Sequence, residues 1–150
     1  MLYHLERSLF IPRPREEVFS FFADAGNLER ITPGFLFFHI LTPRPIDMKV
    51  GTLIDYRLRL FGVPFHWQTL IEAFDPVSSF TDIQITGPYR RWHHRHDFID
   101  ASGGTTMRDR VEYELPLGPM GTIARSLFVR RALDRIFDHR NATITEIFGK

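Results

Sequence analysis

Between residues 52 and 115 the chain repeats one pattern. A short run of alternating apolar and polar side chains is followed by a turn signal, then by another such run. Thr52 to Phe61 sets Ile54, Tyr56, Leu58 and Leu60 against Asp55, Arg57 and Arg59. Gly62-Val63-Pro64 reverses the chain, and Phe65, Trp67, Thr69 and Ile71 alternate again. Asp75-Pro76 closes that run, Ser79 to Thr86 forms the next, and Gly87-Pro88 closes it in turn. Tyr89 to Ile99 and Thr105 to Leu115 are joined by a short stretch ending in Gly103-Gly104. Successive side chains of a strand point to opposite faces, and consecutive short strands joined by tight turns pair as an antiparallel meander.

The flanks read differently. Residues 3 to 11 suit a strand, with Tyr3, Leu5 and Leu9 at alternate positions, and Pro12 and Pro14 end it. Pro14 can open a helix, where its missing N–H costs nothing. Glu16 and Glu17 suit the positive end of the helix dipole, and Val18, Phe21 and Phe22 form an apolar stripe. Leu28 and Ile31 mark a second short helix, stopped by Pro33-Gly34; Phe35 to Leu41 is an apolar, strand-like run. After Pro116 to Gly121 a long helix is expected from about Met120 to about residue 145. Leu127 and Phe128 lie on its first apolar face, and Leu133, Ile136 and Phe137 further on. That drifting apolar band suits a helix lying across a twisted sheet. The sequence therefore predicts an α+β fold in one domain, residues 1–150. A curved antiparallel sheet of about seven strands wraps a long C-terminal helix, with two short helices after the first strand.

Residues 90–98, RRWHHRHDF, hold three arginines and three histidines. Alternation splits them. Arg91, His93, Arg95 and Asp97 share one face, while Trp92, His94, His96 and Phe98 share the other. If Asp100 pairs with Thr105, then Asp97 faces Arg108, Arg95 faces Arg110, His93 faces Glu112 and Arg91 faces Glu114. Three of these four pairs attract, which marks a solvated outer face. On the inner face the same register sets Phe98 against Met107, His96 against Asp109, His94 against Val111 and Trp92 against Tyr113. A one-residue slip would turn one strand's apolar set outward.

The His96–Asp109 pair is read first as two interior groups satisfying each other's hydrogen bonds, next as recognition of a ligand's polar end, and last as acid–base machinery. His94, His96 and Asp109 also make a set of donor types that suits iron or zinc, but no further ligand cluster is evident and no metal or cofactor is expected. Arg131, near the first apolar stripe of the terminal helix, would bind a carboxylate if it turned inward. Gly118 to Gly121 would shape a cavity entrance.

The totals exclude several classes. Lys and Arg number 19 against 18 acids, so nothing drives the chain to nucleic acid, and Glu112, Glu114 and the nearby Asp97 neutralise the arginines of residues 90–95. There is no cysteine, hence no disulfide or thiolate site. The first residues, MLYHLERSLF, carry early charges and read as neither a signal peptide nor a membrane span, so a cytoplasmic protein is expected. No serine-hydrolase, phosphate-loop or zinc signature is present. The 15 phenylalanines fill a core or line a cavity.

The helical segment EEVFSFFADAGNLERITP, then ITGPYRRWHHRHDF, GGTTMRDRVEYELPLG and the terminal helix, taken in this order, resemble the START-like helix-grip superfamily (SRPBCC), in particular its polyketide cyclase/dehydrase group. The resemblance covers almost the whole chain. It implies an apolar cavity between sheet and terminal helix that takes lipids, polyketides or aromatic molecules; it transfers no catalytic residue, and fold alone does not give function. The expected ligand-binding face is Trp92, His94, His96, Phe98, Met107, Asp109 and Tyr113, with Tyr56, Trp67 and Leu127 as apolar walls. The expected partner is a hydrophobic small molecule. A cyclase or dehydratase using His96 with Asp109, and an accessory interaction module without a ligand, are the alternatives.

Overall fold

The computed structural model describes residues 2–60, 62–116 and 122–149, and for 122–126 the backbone alone. The order of elements is β1 (Leu2–Ile11), α1 (Arg15–Phe22), α2 (Gly26–Ile31), a 3-10 turn (Gly34–Leu36), β2 (His39–Ile40), β3 (Leu53–Leu60), β4 (Val63–Asp75), β5 (Ser79–Thr86), β6 (Arg91–Ala101), β7 (Gly104–Glu114) and α3 (Thr122–Phe148). The seven strands form one antiparallel sheet in the order β1-β7-β6-β5-β4-β3-β2. The meander expected from alternation therefore runs from β2 to β7, and β1 closes its far side by pairing with β7 from Leu2↔Glu114 to Ile11↔Thr105. This is the helix-grip arrangement. Among the described residues no helix is long and apolar enough to cross a membrane.

The β6–β7 register is the expected one, from Asp100↔Thr105 through His96↔Asp109 to Arg91↔Glu114. Ala101 pairs with Gly104, leaving Ser102-Gly103 as a two-residue turn in which Gly103 takes a φ of 81°, a region glycine enters without steric cost. Gly104 is fixed by a different constraint: a Cβ there would lie 2.2 Å from the Ile11 carbonyl oxygen of β1.

Three local expectations are corrected. Phe35–Leu41 is not a continuous strand: Phe37 adopts a left-handed φ of 47°, which an extended chain cannot carry, and only His39–Ile40 pair with β3. The β3–β4 reversal lies before Val63, which pairs with Leu60, and Pro64 lies inside β4 opposite Arg59. A proline is tolerated there because pairing with β5 begins only at Gln68, so the first residues of β4 have a free edge. On the terminal helix, Leu127 and Phe128 are each 57% exposed rather than inward-facing. The buried stripe is Leu133, Phe137, Arg140, Ile144 and Phe148, at the spacing of one helix face, and Leu127 lies about 120° around from Leu133 at about 100° per residue. The expected start at Met120 and the Gly118–Gly121 stretch lie outside the described residues.

Among the described residues the interior divides into three apolar clusters. Val18, Phe19 and Phe22 of α1 pack with Phe80, Phe98, Met107, Ile144 and Phe148. Leu5, Val111, Tyr113, Leu133 and Phe137 form a second cluster, and Ala25, Ile54, Tyr56 and Leu58 a third. Burying one such large side chain contributes about 1.5–3 kcal/mol. The clusters do not merge fully, and a cavity lies where they meet.

The outer face behaves as the alternation predicts, with one refinement. Arg95 and Arg110, the one repulsive pair in the register, are reconciled by Asp97, which accepts from Arg95 Nε at 2.9 Å and from Arg110 Nη2 at 3.0 Å. Arg108 stands 3.5 Å from the same carboxylate.

Candidate functional site

The cavity has a volume of about 190 Å³ and lies between the concave face of the sheet and α3. Its apolar wall includes Phe22, Ile54, Tyr56, Leu58, Phe80 and Leu133, and both tryptophans of the chain, Trp67 and Trp92, line it. The two indoles meet edge to face at 5.4 Å. Asp82, His94, His96 and Arg140 converge on it as one linked cluster, and Asp24, Asn27, Thr32 and Thr69 also line it. A mostly apolar concavity with a few convergent polar groups is the usual form of a small-molecule site.

The sheet positions most of that cluster. His94 and His96 are two residues apart on β6, so their rings point the same way, and they stack at 3.8 Å with 25° between planes. Asp82 of β5 is the register partner of His94, and Phe80, partner of His96, stacks on it at 4.1 Å. Asp109 comes from β7 and is 1% exposed.

Each imidazole turns one nitrogen to each carboxylate. His94 Nε2 lies 2.8 Å from Asp109 Oδ1, and its Nδ1 is 4.0 Å from Asp82 Oδ2. His96 reverses the assignment: Nε2 is 2.6 Å from Asp82 Oδ2, and Nδ1 is 3.3 Å from Asp109 Oδ1 without hydrogen-bond geometry. Arg140 of α3 completes the cluster, with Nη2 3.3 Å from Asp109 Oδ1 and its guanidinium over the rings of Phe22 and Phe137 at 5.4 and 5.6 Å.

Burial and charge compete at each group. Burial opposes ionisation of Asp109, but the Arg140 guanidinium, the His94 hydrogen bond and the nearby His96 outweigh it and hold the carboxyl well below the usual range. Asp82 is likewise lowered against its burial, chiefly by the His96 hydrogen bond and the charge on His94. Burial, then the neighbouring His96, pushes His94 down. Burial also works against the charge on His96, yet the neighbouring Asp109 and Asp82 carboxylates raise it. The two imidazoles, in contact between two carboxylates, are thus pushed in opposite directions.

Of the residues expected at the site, Tyr56, Trp67, Trp92, His94 and His96 lie on the cavity wall. Asp109 is brought to the histidines but stands behind them. Phe98 and Met107 share the inner face yet belong to the closed cluster beneath α1, and Tyr113 to the cluster around Leu5, stacked on Tyr3 at 5.4 Å. The sheet is longer than the cavity, so the right face does not guarantee the right depth. Leu127 is outside altogether. Arg131 is exposed, and the arginine that turns inward is Arg140.

Asp82 and Arg140 were the residues missed. Alternation along β5 sets Asp82 on the same face as Phe80, an acid on an apolar face. Arg140 continues the spacing of Leu133 and Phe137, a charge in a buried stripe. Both signals were present, but pairing Asp82 with His94 needs a register across the 87–90 connection, whose geometry residue types do not fix.

A family model described as polyketide cyclase / dehydrase and lipid transport matches residues 11–139. The chain belongs to that family. A comparison with curated proteins gives no match. Among solved structures, the chain is similar to the Zhui aromatase/cyclase from Streptomyces sp. R1128, with a TM-score of 0.75 at 12% identity over 96% of this chain and 92% of that one. It is also similar to ginseng major latex-like protein 151 from Panax ginseng, with a TM-score of 0.69 at 14% identity over 99% of each chain. At these identities the likeness shows the fold. A third similar structure is the nucleoside-diphosphate sugar epimerase from Corynebacterium glutamicum, with a TM-score of 0.66 at 26% identity; it covers 95% of this chain but only 28% of that one.

Proposed function

We propose that the protein binds a compact hydrophobic molecule in the cavity between the sheet and α3, with the ligand's polar end against Asp82, His94 and His96. The observation that carries this is the cavity's lining: an apolar wall containing both tryptophans, with Asp82, His94, His96 and Arg140 converging on it as one cluster. The volume bears on ligand size. An apolar cavity of roughly 150 Å³ accepts benzene, so about 190 Å³ favours a small ring system over a long acyl chain. The polar end also has a character. Asp82 accepts hydrogen bonds, and His94 Nδ1 has no hydrogen-bond partner among the described residues, which suits a ligand with a hydroxyl or phenol. Native mass spectrometry of gently purified protein tests this. The expected spectrum carries a small-molecule adduct that denaturation removes. A bare chain that also fails to bind the neutral apolar probe N-phenyl-1-naphthylamine would overturn it.

A second reading is a cyclase or dehydratase, favoured by the His94–His96 contact and by the likeness to an aromatase/cyclase fold. Its residues differ from the expected pair, since His96 hydrogen-bonds Asp82 and not Asp109. It predicts that His96→Ala abolishes turnover of a bound β-hydroxy carbonyl compound while probe binding persists. Equal loss of both would remove it. The Corynebacterium structure, where a similar domain belongs to a longer epimerase chain, favours an accessory role beside an enzyme. That role is compatible with ligand binding.

A further inference from the structure

The three donor atoms that Asp82, His94 and His96 turn toward the cavity lie within 4.8 Å of one another. We propose that this triad binds one divalent first-row transition-metal ion, of the zinc or iron class, with Asp109 and Arg140 holding the histidines in ligating orientation. The set differs from the His94, His96 and Asp109 combination suggested by residue types alone. Asp109 sits on the far nitrogens, and Asp82 takes its place on the cavity side.

Four observations carry the proposal. The donors are two imidazole nitrogens and one carboxylate, a set that suits such ions and leaves coordination positions open. Their placement is rigid: His94 and His96 are alternate residues on β6, and Asp82 is a register partner on β5. Each histidine has its other nitrogen near one buried carboxylate oxygen, at 2.8 Å in a hydrogen bond for His94 and at 3.3 Å without hydrogen-bond geometry for His96. A carboxylate behind a ligating histidine is the usual outer support of a metal site, because it fixes which nitrogen is free to bind. Arg140, 3.3 Å from Asp109, balances that buried charge, so the second carboxylate acts as a support and not as a competing ligand.

The two separations from Asp82 bracket the one an ion requires. Two ligands at about 2.0–2.1 Å from a metal stand about 3 Å apart when they subtend a right angle. His96 Nε2 and Asp82 Oδ2 are 2.6 Å apart, and His94 Nδ1 and Asp82 Oδ2 4.0 Å. Side-chain rotations that draw His94 Nδ1 in by about 1 Å and open the His96–Asp82 contact slightly would admit an ion in place of the bridging hydrogen. The open positions face the cavity, where water or an oxygen of a bound molecule would complete the shell. The triad lines the same cavity as the proposed ligand, but metal binding can be measured with no organic ligand present, so the two readings fail separately.

The experiment is a titration of chelator-treated full-length protein with Zn²⁺ by calorimetry and with Co²⁺ by visible absorption. The expected result is one ion per chain and the d–d bands of a cobalt ion in a nitrogen and oxygen shell. Asp82→Asn and His94→Ala should remove the bands. Asp109→Asn should weaken Zn²⁺ binding by about 10–100-fold without abolishing it, as loss of an outer support does. His66→Ala, which alters an exposed histidine on the outer face, should change nothing. Circular dichroism separates loss of the site from loss of the fold, and Asp82→Asn, the most conservative variant, carries the decision. Binding of unchanged affinity in folded Asp82→Asn, or binding abolished by His66→Ala, would overturn the proposal, as would no binding by the folded parent protein.

Discussion

Arg140 of α3 sets its guanidinium 3.3 Å from Asp109 of β7, and both side chains are buried. The pair ties the terminal helix to the inner face of the sheet, behind the histidines. Removing one member of a buried ion pair leaves the other charge without compensation and costs about 3–5 kcal/mol. Arg140→Met should therefore lower the unfolding free energy by about that amount in urea denaturation. The double variant Arg140→Met/Asp109→Asn should recover part of the loss, because no bare carboxylate remains. A loss in the single variant below about 1 kcal/mol would show that the pair does not hold the helix.

Asp97 makes a separate prediction on the outer face, where it accepts from Arg95 and Arg110 and stands near Arg108. Asp97→Asn keeps the shape but leaves three guanidiniums facing one another. The arginines are partly exposed, so solvent screens the effect, and a cost of about 1–2 kcal/mol is expected. The cost should shrink as salt is added, because screening relieves the repulsion between the arginines. A cost that does not change between low and high salt would mean the aspartate acts through packing alone.

Alkaline titration reads the buried tyrosines. Burial raises the phenols of Tyr56 and Tyr89, and the neighbouring Asp82 adds to the shift at Tyr56, so both stay protonated above the ordinary value near 10. The folded state then binds more protons than the unfolded one as pH passes about 10, and stability falls as pH rises through that range. At pH 11 the native protein should show phenolate absorption for fewer than its four tyrosines, and the denatured protein for all four. Equal absorption in a protein still folded at that pH would contradict the burial of Tyr56 and Tyr89.

The fold was largely legible because two strong periods dominate the chain. Strict alternation from β3 to β7 gives the meander, and opposite charges on the outer face give the β6–β7 register down to His96↔Asp109. The site was legible by face and not by depth. Phe98, His96, His94 and Trp92 share one side of β6, yet α1 and the end of α3 close the core over Phe98 and leave space beside Trp92. Register brought His96 to 3.3 Å from Asp109 but gave no sign of its shorter contact with Asp82. Strand neighbours set backbone positions, whereas the side-chain torsions of two stacked imidazoles decide which carboxylate each nitrogen meets. Asp82 and Arg140 came from elements whose placement depends on the whole tertiary fold.

A filled cavity should lose its ligand while keeping its fold. Ala25, on the wall next to Leu28 and Ile54, is small enough that Ala25→Phe would push a ring into the open volume. Because both tryptophans line that volume, energy transfer from Trp67 and Trp92 to bound N-phenyl-1-naphthylamine reports occupancy directly. A ligand cavity predicts transfer that saturates at one probe per chain and disappears in Ala25→Phe, with the far-ultraviolet circular dichroism of the parent retained. Transfer that never saturates, or that survives unchanged in a folded Ala25→Phe variant, would contradict it.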